Sequence, residues 1–289
     1  MTIQPPLARI LDSPERLGEL CPFPGVALRA LELLRDESTR PAALVEVISA
    51  DPAFVAELMF CANSALFNLP TRVKTIRHAV VVLGAERLQA VIMTTALRSF
   101  LRRRLRSREG IAWWRHSLAT AVLSESITVA ESCQFAGAYT AGLLHDIGRL
   151  VMFSAIDPAE FAEFRKIAED SSRPITELEQ EILGASHCEI GAAVLERWQL
   201  PEEIVVPALH HHEPDLWPSS APLRIVGSAC SVSNLLGFPS FRNRKSQLEL
   251  APDPDLLPAP VQTLLAGQPE LLAAALTDRI NNILETIRH

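Results

Sequence analysis

Apolar residues recur along most of the chain at intervals of three and four positions, the spacing that places them on one face of an α-helix. In the stretch "PGVALRALELLRD", for example, Val26, Leu28, Ala30, Leu31 and Leu34 form a stripe suited to burial on one side. No succession of segments alternates apolar and polar residues in the way that strands do. The pattern therefore predicts an all-α protein.

Residues with known capping preferences mark several helix boundaries. Asp51–Pro52 and Asp157–Pro158 each place an acidic cap before a proline at the first helical position. Gly84 ends the run "TIRHAVVVLG", and a second apolar segment follows it. Further helices are predicted at about 113–132, 138–154, 159–169, 175–183, 187–198, 202–212 and 221–236.

Two changes in composition divide the chain. A basic segment, "LRRRLRSREG", separates two helical lobes, and a Pro-rich polar segment, "FPSFRNRKSQLELAPDPDLLPAP", follows the second lobe. We predict an N-terminal extension at 1–19, a helical lobe at 20–110, a second helical lobe at 111–240, and a linker with a C-terminal helical segment at 241–289.

The arginines of the basic segment allow two interpretations. They could contact nucleic acid, or they could form the solvated, cationic end of a helix, where they complement the helix dipole. We favour the helix end, because one short cluster in a chain of net charge −7 does not make the basic face that phosphate binding needs. These arginines occupy positions 102, 103, 104, 106 and 108.

Composition excludes several other classes of protein. Apolar residues make up 48% of the sequence, which excludes global disorder, yet the apolar runs are too short to suggest a membrane span. We find no secretory signal, and five widely spaced cysteines without a CxxC pair fit reduced thiols in a cytoplasm. Neither GxGxxG nor GxxxxGK[ST] occurs, so nucleotide cradles of these types are not expected.

Histidines carry the strongest chemical signal. The segment "AGLLHDIGRLVM" places His145 and Asp146 side by side in an otherwise apolar run. Six of the eight histidines fall within residues 116–212, each near the end of a predicted helix, and converging helices can bring such ends into one pocket. Neutral imidazole and carboxylate are common ligands of divalent metals. Alternatively, a histidine of this kind is a hydrogen-bonded core residue or a helix cap.

The order and context of these histidines resemble the HDOD domain, the HD-related output domain of bacterial signalling proteins, within the superfamily of HD phosphohydrolases. The resemblance covers about residues 20–240. It implies an all-helical fold with two lobes, the second of which resembles an HD phosphohydrolase bundle. Its segments are, in order, "CPFPGVALRALELLRD", "VISADPAFVAELMFCANSALFNLP", "TIRHAVVVLGAERLQAVIM", "WRHSLATA", "AGLLHDIGRLVM" and "HCEIGAAVLERWQLPEEIV".

The resemblance also implies a set of metal ligands. His116 matches the first ligand, and His145 and Asp146 match the paired ligands. His187, His211 and His212 match the additional ligands of the related HD-GYP phosphodiesterases.

Three departures from the superfamily pattern remove acidic or signature residues. Cys230 stands where the closing aspartate is expected, and no aspartate occurs between Leu216 and Pro252, the two ends of that region. Ala112 stands one helical turn before His116, where some HD-GYP relatives carry a bridging glutamate, and the GYP segment is absent. Cys230 could bind zinc, but among apolar neighbours we favour a role as a small core residue.

The loss of carboxylates favours a non-catalytic signalling module, because hydrolysis needs metal ions held by acidic oxygens next to the phosphate. The alternatives are a metal-dependent phosphohydrolase of cyclic nucleotides or dinucleotides, with Asp146 in catalysis, and a regulator that binds a nucleotide without turnover. Any metal would be Zn, Fe, Mn or Mg, weakly bound, and an HD pocket without metal is the other expectation. The resemblance implies signalling proteins as partners, in a bacterial two-component or second-messenger pathway. The net charge argues against nucleic acid as a partner, and the short apolar runs argue against a membrane.

Overall fold

The computed structural model describes residues 7–20, 22–36, 38–101, 107–241, 262 and 269–285. Regular secondary structure within these ranges is entirely helical, which confirms the all-α prediction. In chain order the helices are α1 (Ala8–Leu11), α2 (Pro14–Leu20), α3 (Gly25–Arg35), α4 (Pro41–Ser49), α5 (Pro52–Ala62), α6 (Ile76–Leu101), α7 (Arg108–Ala130), α8 (Ala138–Leu144), α9 (Ile147–Ala155), α10 (Pro158–Asp170), α11 (Ile175–Leu183), α12 (His187–Arg197), α13 (Glu202–His210), a 3₁₀ helix (Pro214–Ser219), α14 (Ala221–Leu235) and α15 (Pro269–Glu285).

The chain divides into two compact units. The histidine unit comprises Met1–Cys21 and Ser107–Ala273, and the α3–α6 unit comprises Pro22–Arg106 and Ala274–His289. The predicted domain limits remain predictions. Four of the five arginines of the basic segment and most of the predicted linker lie outside the described residues.

In the α3–α6 unit, one predicted cap has the expected geometry. The Asp51 carboxylate accepts hydrogen bonds from the backbone N–H groups of Ala53 and Phe54, both at 3.0 Å, and Pro52 begins α5. Gly84, with φ of +68°, interrupts α6, where a left-handed residue is expected to end a helix. The sequence signals at both positions are therefore confirmed.

We expect Asp51→Ala to lower the free energy of unfolding by about 1 kcal/mol, because two N–H groups at the start of α5 lose their acceptor. Urea unfolding followed by far-ultraviolet circular dichroism would measure the change. Glu46→Ala, on the exposed side of α4, is the matched control and should change little. Equal effects of the two substitutions would contradict the capping role.

The segment between α5 and α6 is fixed by one asparagine. The Asn63 side-chain amide donates to the carbonyl of Val73 at 2.9 Å, and its oxygen accepts from the N–H of the same residue at 2.7 Å. This pair of bonds closes the loop across ten residues. Asn63 therefore has a structural role in the "CANSALF" segment.

Helix α6 is the one described helix with the length and hydropathy to cross a bilayer, over Ile76–Arg98. However, 61% of its most apolar window is buried within the protein, and Gly84 kinks it. A helix that is apolar because it lies in a core meets the same criteria. We interpret α6 as a core helix.

The histidine unit is built around α7, whose residues from Trp113 to Ser124 are mostly buried. Helices α8 and α14 pack along it, and α9 packs against α12. Two glycines permit these close approaches. A Cβ on Gly142 would lie 2.8 Å from the Thr120 carbonyl oxygen of α7, and one on Gly148 would lie against the His187 carbonyl oxygen of α12.

The segment predicted as one helix at 138–154 consists of two helices, α8 and α9. His145 ends α8 with helical dihedral angles, whereas Asp146, with φ of −108° and ψ of 19°, starts α9 as its N-cap residue. The prediction of a continuous helix was therefore wrong at this position. The change of direction leaves Gly148 against α12 and turns both polar side chains into the interior of the unit.

Candidate metal centre

The HD pair lies in a fully buried junction. His145 is 0% exposed and Asp146 is 1% exposed. The backbone carbonyl of Asp146 accepts a hydrogen bond of 2.7 Å from the indole N–H of Trp113 on α7. This bond fixes the junction of α8 and α9 against the central helix.

His116 and His145 face each other through their Nε2 atoms, which lie 3.1 Å apart. Nδ1 of His116 lies 2.8 Å from the carbonyl of Phe238, and Nδ1 of His145 lies 2.8 Å from that of Gly142. Since a carbonyl only accepts, both Nδ1 atoms carry the proton and both neutral rings direct an Nε2 lone pair at each other.

Burial lowers the pKa of His145 to about 3 and also lowers the pKa of His116. Both rings are therefore neutral at pH 7. No proton lies between the two Nε2 atoms, so the repulsion between their lone pairs remains. A divalent cation would relieve it. Two imidazoles on a tetrahedral zinc ion, with bonds of about 2.0–2.1 Å, place their nitrogens roughly 3.3 Å apart. The pair thus fits a metal ion.

Asp146 belongs to a buried network of charges. Nε of Arg149 lies 3.0 Å from each carboxylate oxygen of Asp146, and Nη1 of Arg149 lies 2.9 Å from Oε1 of Glu179. Oε2 of Glu179 accepts from the backbone N–H of His187 at 2.9 Å and contacts Nδ1 of its ring at 2.5 Å. Nε2 of His187 lies 3.2 Å from Oδ1 of Asp146, which closes the network.

These charges determine the ionisation of the HD carboxylate. Burial by itself would raise the pKa of Asp146, but Arg149 and then His187 hold that pKa well below its usual range. The pKa of Glu179 is likewise lowered against its burial, by His187 and Arg149. Asp146 is therefore an anion whose charge is balanced by an internal cation.

A second group of donors adjoins this network. One nitrogen each from His187, His211 and His212 and the sulfur of Cys188 lie within 4.8 Å of one another. Nδ1 of His211 lies 3.1–3.2 Å from carbonyls of the preceding turn, while its Nε2 is buried without a hydrogen-bond partner among the described residues. His212 is exposed.

Cys230 lies on α14 and contributes to the HD pocket. It is 4% exposed, and its sulfur is 3.6 Å from Nε2 of His116. Its position is therefore both in the core and next to an expected ligand, and the core role that the sequence favours stays a prediction. Burial raises the pKa of its thiol. Ala112, on α7, brings no donor atom.

A comparison with family models decides the relationship. The model of the HDOD domain matches residues 20–214. This chain belongs to the HDOD family. An uncharacterized protein of Treponema pallidum (strain Nichols) is 27% identical to this HDOD chain over 200 residues, which are 68% of the chain and 38% of that protein. The HDOD chain thus spans well under half the length of this relative.

Solved structures share the fold. An HDOD domain protein of unknown function from Geobacter sulfurreducens is 25% identical to the HDOD chain, with a TM-score of 0.67 over 91% of this chain and 87% of that chain. A candidate signal transduction protein from Marinobacter aquaeolei VT8 is 22% identical, with a TM-score of 0.70 over 99% and 62%. A candidate phosphohydrolase from Shewanella amazonensis SB2B is 21% identical, with a TM-score of 0.63 over 93% and 92%.

The structure of the HDOD chain brings together all seven residues named from the sequence, six of them buried and His212 exposed. Three participants were missed. Arg149 stands three residues after Asp146 on the same helix face, a spacing that could have identified it. Cys188 adjoins His187 in the sequence. Glu179 had no local signal, because its position on α11 is typical of an amphipathic surface helix.

Proposed function

We propose that this HDOD protein is a non-catalytic signalling module, whose histidine unit keeps the scaffold of a hydrolase and acts through contacts with other proteins. The observation that carries the proposal is the bond of Arg149 to both carboxylate oxygens of Asp146. The buried guanidinium of Arg149 is paired with the carboxylate of Asp146, which a hydrolytic metal ion would need as a ligand.

The chemistry of phosphoester hydrolysis supports this interpretation. A hydrolytic metal lowers the pKa of bound water and neutralises phosphate charge, and acidic oxygens hold the hard ions that do so next to a phosphate. Among the matched ligands only Asp146 is acidic, since Cys230 and Ala112 stand at the two other acidic positions. Glu179, the other buried acid of the pocket, is committed to His187 and Arg149.

We further propose that any ion in the HD pocket is held by His116, His145 and Asp146, with His187, His211 and His212 as ligands of a second ion. Such a set is rich in imidazole, which suits Zn or Fe better than Mg. The resident metal would supply positive charge between the facing nitrogens of His116 and His145. Asp146 would bind it only by sharing its carboxylate with Arg149.

The test is an activity assay on the full chain with excess Mn, Mg or Fe. We expect no release of product from a generic phosphodiester, from nucleotides or from cyclic dinucleotides above that of the Asp146→Ala variant. The physical reason is that a carboxylate paired with a buried guanidinium lacks free charge for a hydrolytic centre. Turnover that Asp146→Ala abolishes would contradict the proposal.

Calorimetry on the same preparations distinguishes the signalling module from the remaining alternative, a regulator that binds a nucleotide without turnover. Tight binding of a cyclic dinucleotide or guanosine nucleotide without turnover would favour a nucleotide-responsive regulator. If no nucleotide binds, contacts with protein partners remain as the route of output, which membership of the HDOD family supports. We place this output in a bacterial two-component or second-messenger pathway in the cytoplasm, where the free cysteines at 61, 133, 188 and 230 would stay reduced.

A further inference from the structure

We propose that Cys188, His187, His211 and His212 form a zinc(II) site with a thiolate ligand, beside the HD pair. This inference deepens the proposed function. It rests on that proposal in one respect, namely that a metal ion in this pocket has a structural or regulatory role and not a catalytic one. The ligand that distinguishes the site is Cys188, whose sulfur adjoins three imidazoles.

The distances between the donors suit one ion. The sulfur of Cys188 is 3.4 Å from Nε2 of His187, and all four donor atoms lie within 4.8 Å of one another. With zinc bonds of about 2.0–2.3 Å, the donors of a tetrahedral site are roughly 3.3–3.7 Å apart. The group therefore closes on an ion through a side-chain shift of about an ångström, which the exposed His212 can make.

Two of the imidazoles are already oriented for a ligand. Nε2 of His211 is buried and has no hydrogen-bond partner among the described residues, although the other nitrogen of the ring is satisfied by carbonyls. An unpaired buried acceptor is costly, so a native group of this kind calls for a partner. In His187, Nδ1 bonds to the Glu179 carboxylate, which is the usual outer-shell arrangement of a zinc-bound histidine.

Two neighbours lie close to the His187 nitrogen that zinc would take. Nε2 of His187 also lies 3.2 Å from Oδ1 of Asp146 and 3.5 Å from Nη2 of Arg149. The second distance is at the limit of a hydrogen bond, so Arg149 loses little when zinc takes that nitrogen. Its bonds to Asp146 and Glu179 use other atoms and persist.

The ligand set also determines which metal binds and what it does. Imidazole and thiolate are the donor types of tetrahedral zinc sites, whereas magnesium and manganese prefer oxygen. Four protein ligands complete a tetrahedron and leave no position for a reactive water. The thiol proton passes to solvent when the ion binds. The exposed His212 supplies the route by which the ion enters.

Cobalt(II) tests the site, because a thiolate ligand gives cobalt an intense near-ultraviolet charge-transfer band that nitrogen and oxygen ligands do not give. The full chain is reduced, stripped of metal with a chelator and titrated with cobalt without oxygen. We expect this band in the native protein, its loss in Cys188→Ser and its retention in Cys230→Ser, whose sulfur faces His116 instead. Absence of the band from the native protein, or its survival in Cys188→Ser, would overturn the inference.

Adjacent histidines provide a second test that does not depend on the buried cysteine. His212→Gln should weaken zinc binding by about 10- to 100-fold or more, since even outer-shell residues have effects of this size. His210→Gln is the matched control. His210 belongs to the same run but its Nδ1 bonds to Glu213 at 2.8 Å, outside the cluster, so its variant should bind zinc like the native protein. Equal affinities of the two variants would overturn the site.

The two proposals fail in different ways. Phosphodiester turnover together with the Cys188-dependent band contradicts the signalling proposal and leaves the zinc site standing. If both the turnover and the band are absent, the result contradicts the zinc site and leaves the signalling proposal standing. Should Cys188→Ser not fold, as judged by tryptophan fluorescence, the pair of histidine variants decides.

Discussion

Replacing Arg149 with methionine is expected to lower the free energy of unfolding of the histidine unit by about 3–5 kcal/mol. Arg149 is 4% exposed and is the cation between two buried carboxylates, Asp146 and Glu179. Methionine replaces the packing of the side chain but leaves both carboxylates without this partner in the interior, where an unpaired charge is costly. The cost arises from the acids that remain rather than from the net value of the ion pairs.

Tryptophan fluorescence during urea unfolding measures this loss, since all four tryptophans fall between residues 113 and 217, inside the histidine unit. Arg173→Met is the matched control, because Arg173 pairs with Glu177 and Glu181 on the surface, and its variant should unfold like the native protein. Adding Glu179→Gln to Arg149→Met should recover part of the stability, because it removes one uncompensated negative charge and keeps a side-chain oxygen that accepts from the backbone N–H of His187. If Arg149→Met unfolds at the same urea midpoint as the native protein, the ion pairs of Arg149 do not contribute to the stability of the histidine unit.

The sequence was sufficient for the features that depend on neighbours in the chain. The caps at Asp51 and Asp157 were predicted because a capping side chain bonds to N–H groups two or three residues ahead. The all-α class followed from periodicity, which is also local. The histidines were singled out for their context along the chain, and the helices bring them together.

Features that depend on distant contacts were not predicted. The bond of Arg149 to Glu179 joins residues 30 positions apart, and nothing in either segment specifies the other. The break between His145 and Asp146 was missed because the apolar pattern continues on both sides of these residues, whereas the crossing of α9 with α12 determines the direction of the chain. Similarly, whether each ring nitrogen of His211 finds a hydrogen-bond partner depends on the groups that surround the ring in the folded protein.

Gly148→Ala is expected to destabilise the histidine unit by about 3 kcal/mol or more, at the upper end of the range for overpacking. The added Cβ would lie against the carbonyl oxygen of His187, well inside van der Waals contact, and 2.8 Å from the backbone nitrogen of Gly191. Both are backbone atoms of α12, so no side chain can rotate away. Relief requires α12 to move, and it carries both His187 and Cys188.

Gly191→Ala is the matched control for this crossing, because its Cβ would meet the nitrogen of Gly148 at 3.3 Å and the side chain of Ile147 at 3.6 Å. The helix preference of alanine over glycine, roughly 1 kcal/mol, opposes the cost of this close contact, so we expect a loss of stability well below that of Gly148→Ala. Tryptophan fluorescence measures both variants. Cobalt titration of any folded Gly148→Ala protein should show a weakened charge-transfer band, because the movement of α12 separates Cys188 and His187 from His211. Equal stabilities of the two variants would mean that α9 and α12 cross at a greater distance, and the positions of His187 and Cys188 beside the HD pair would then have to be revised.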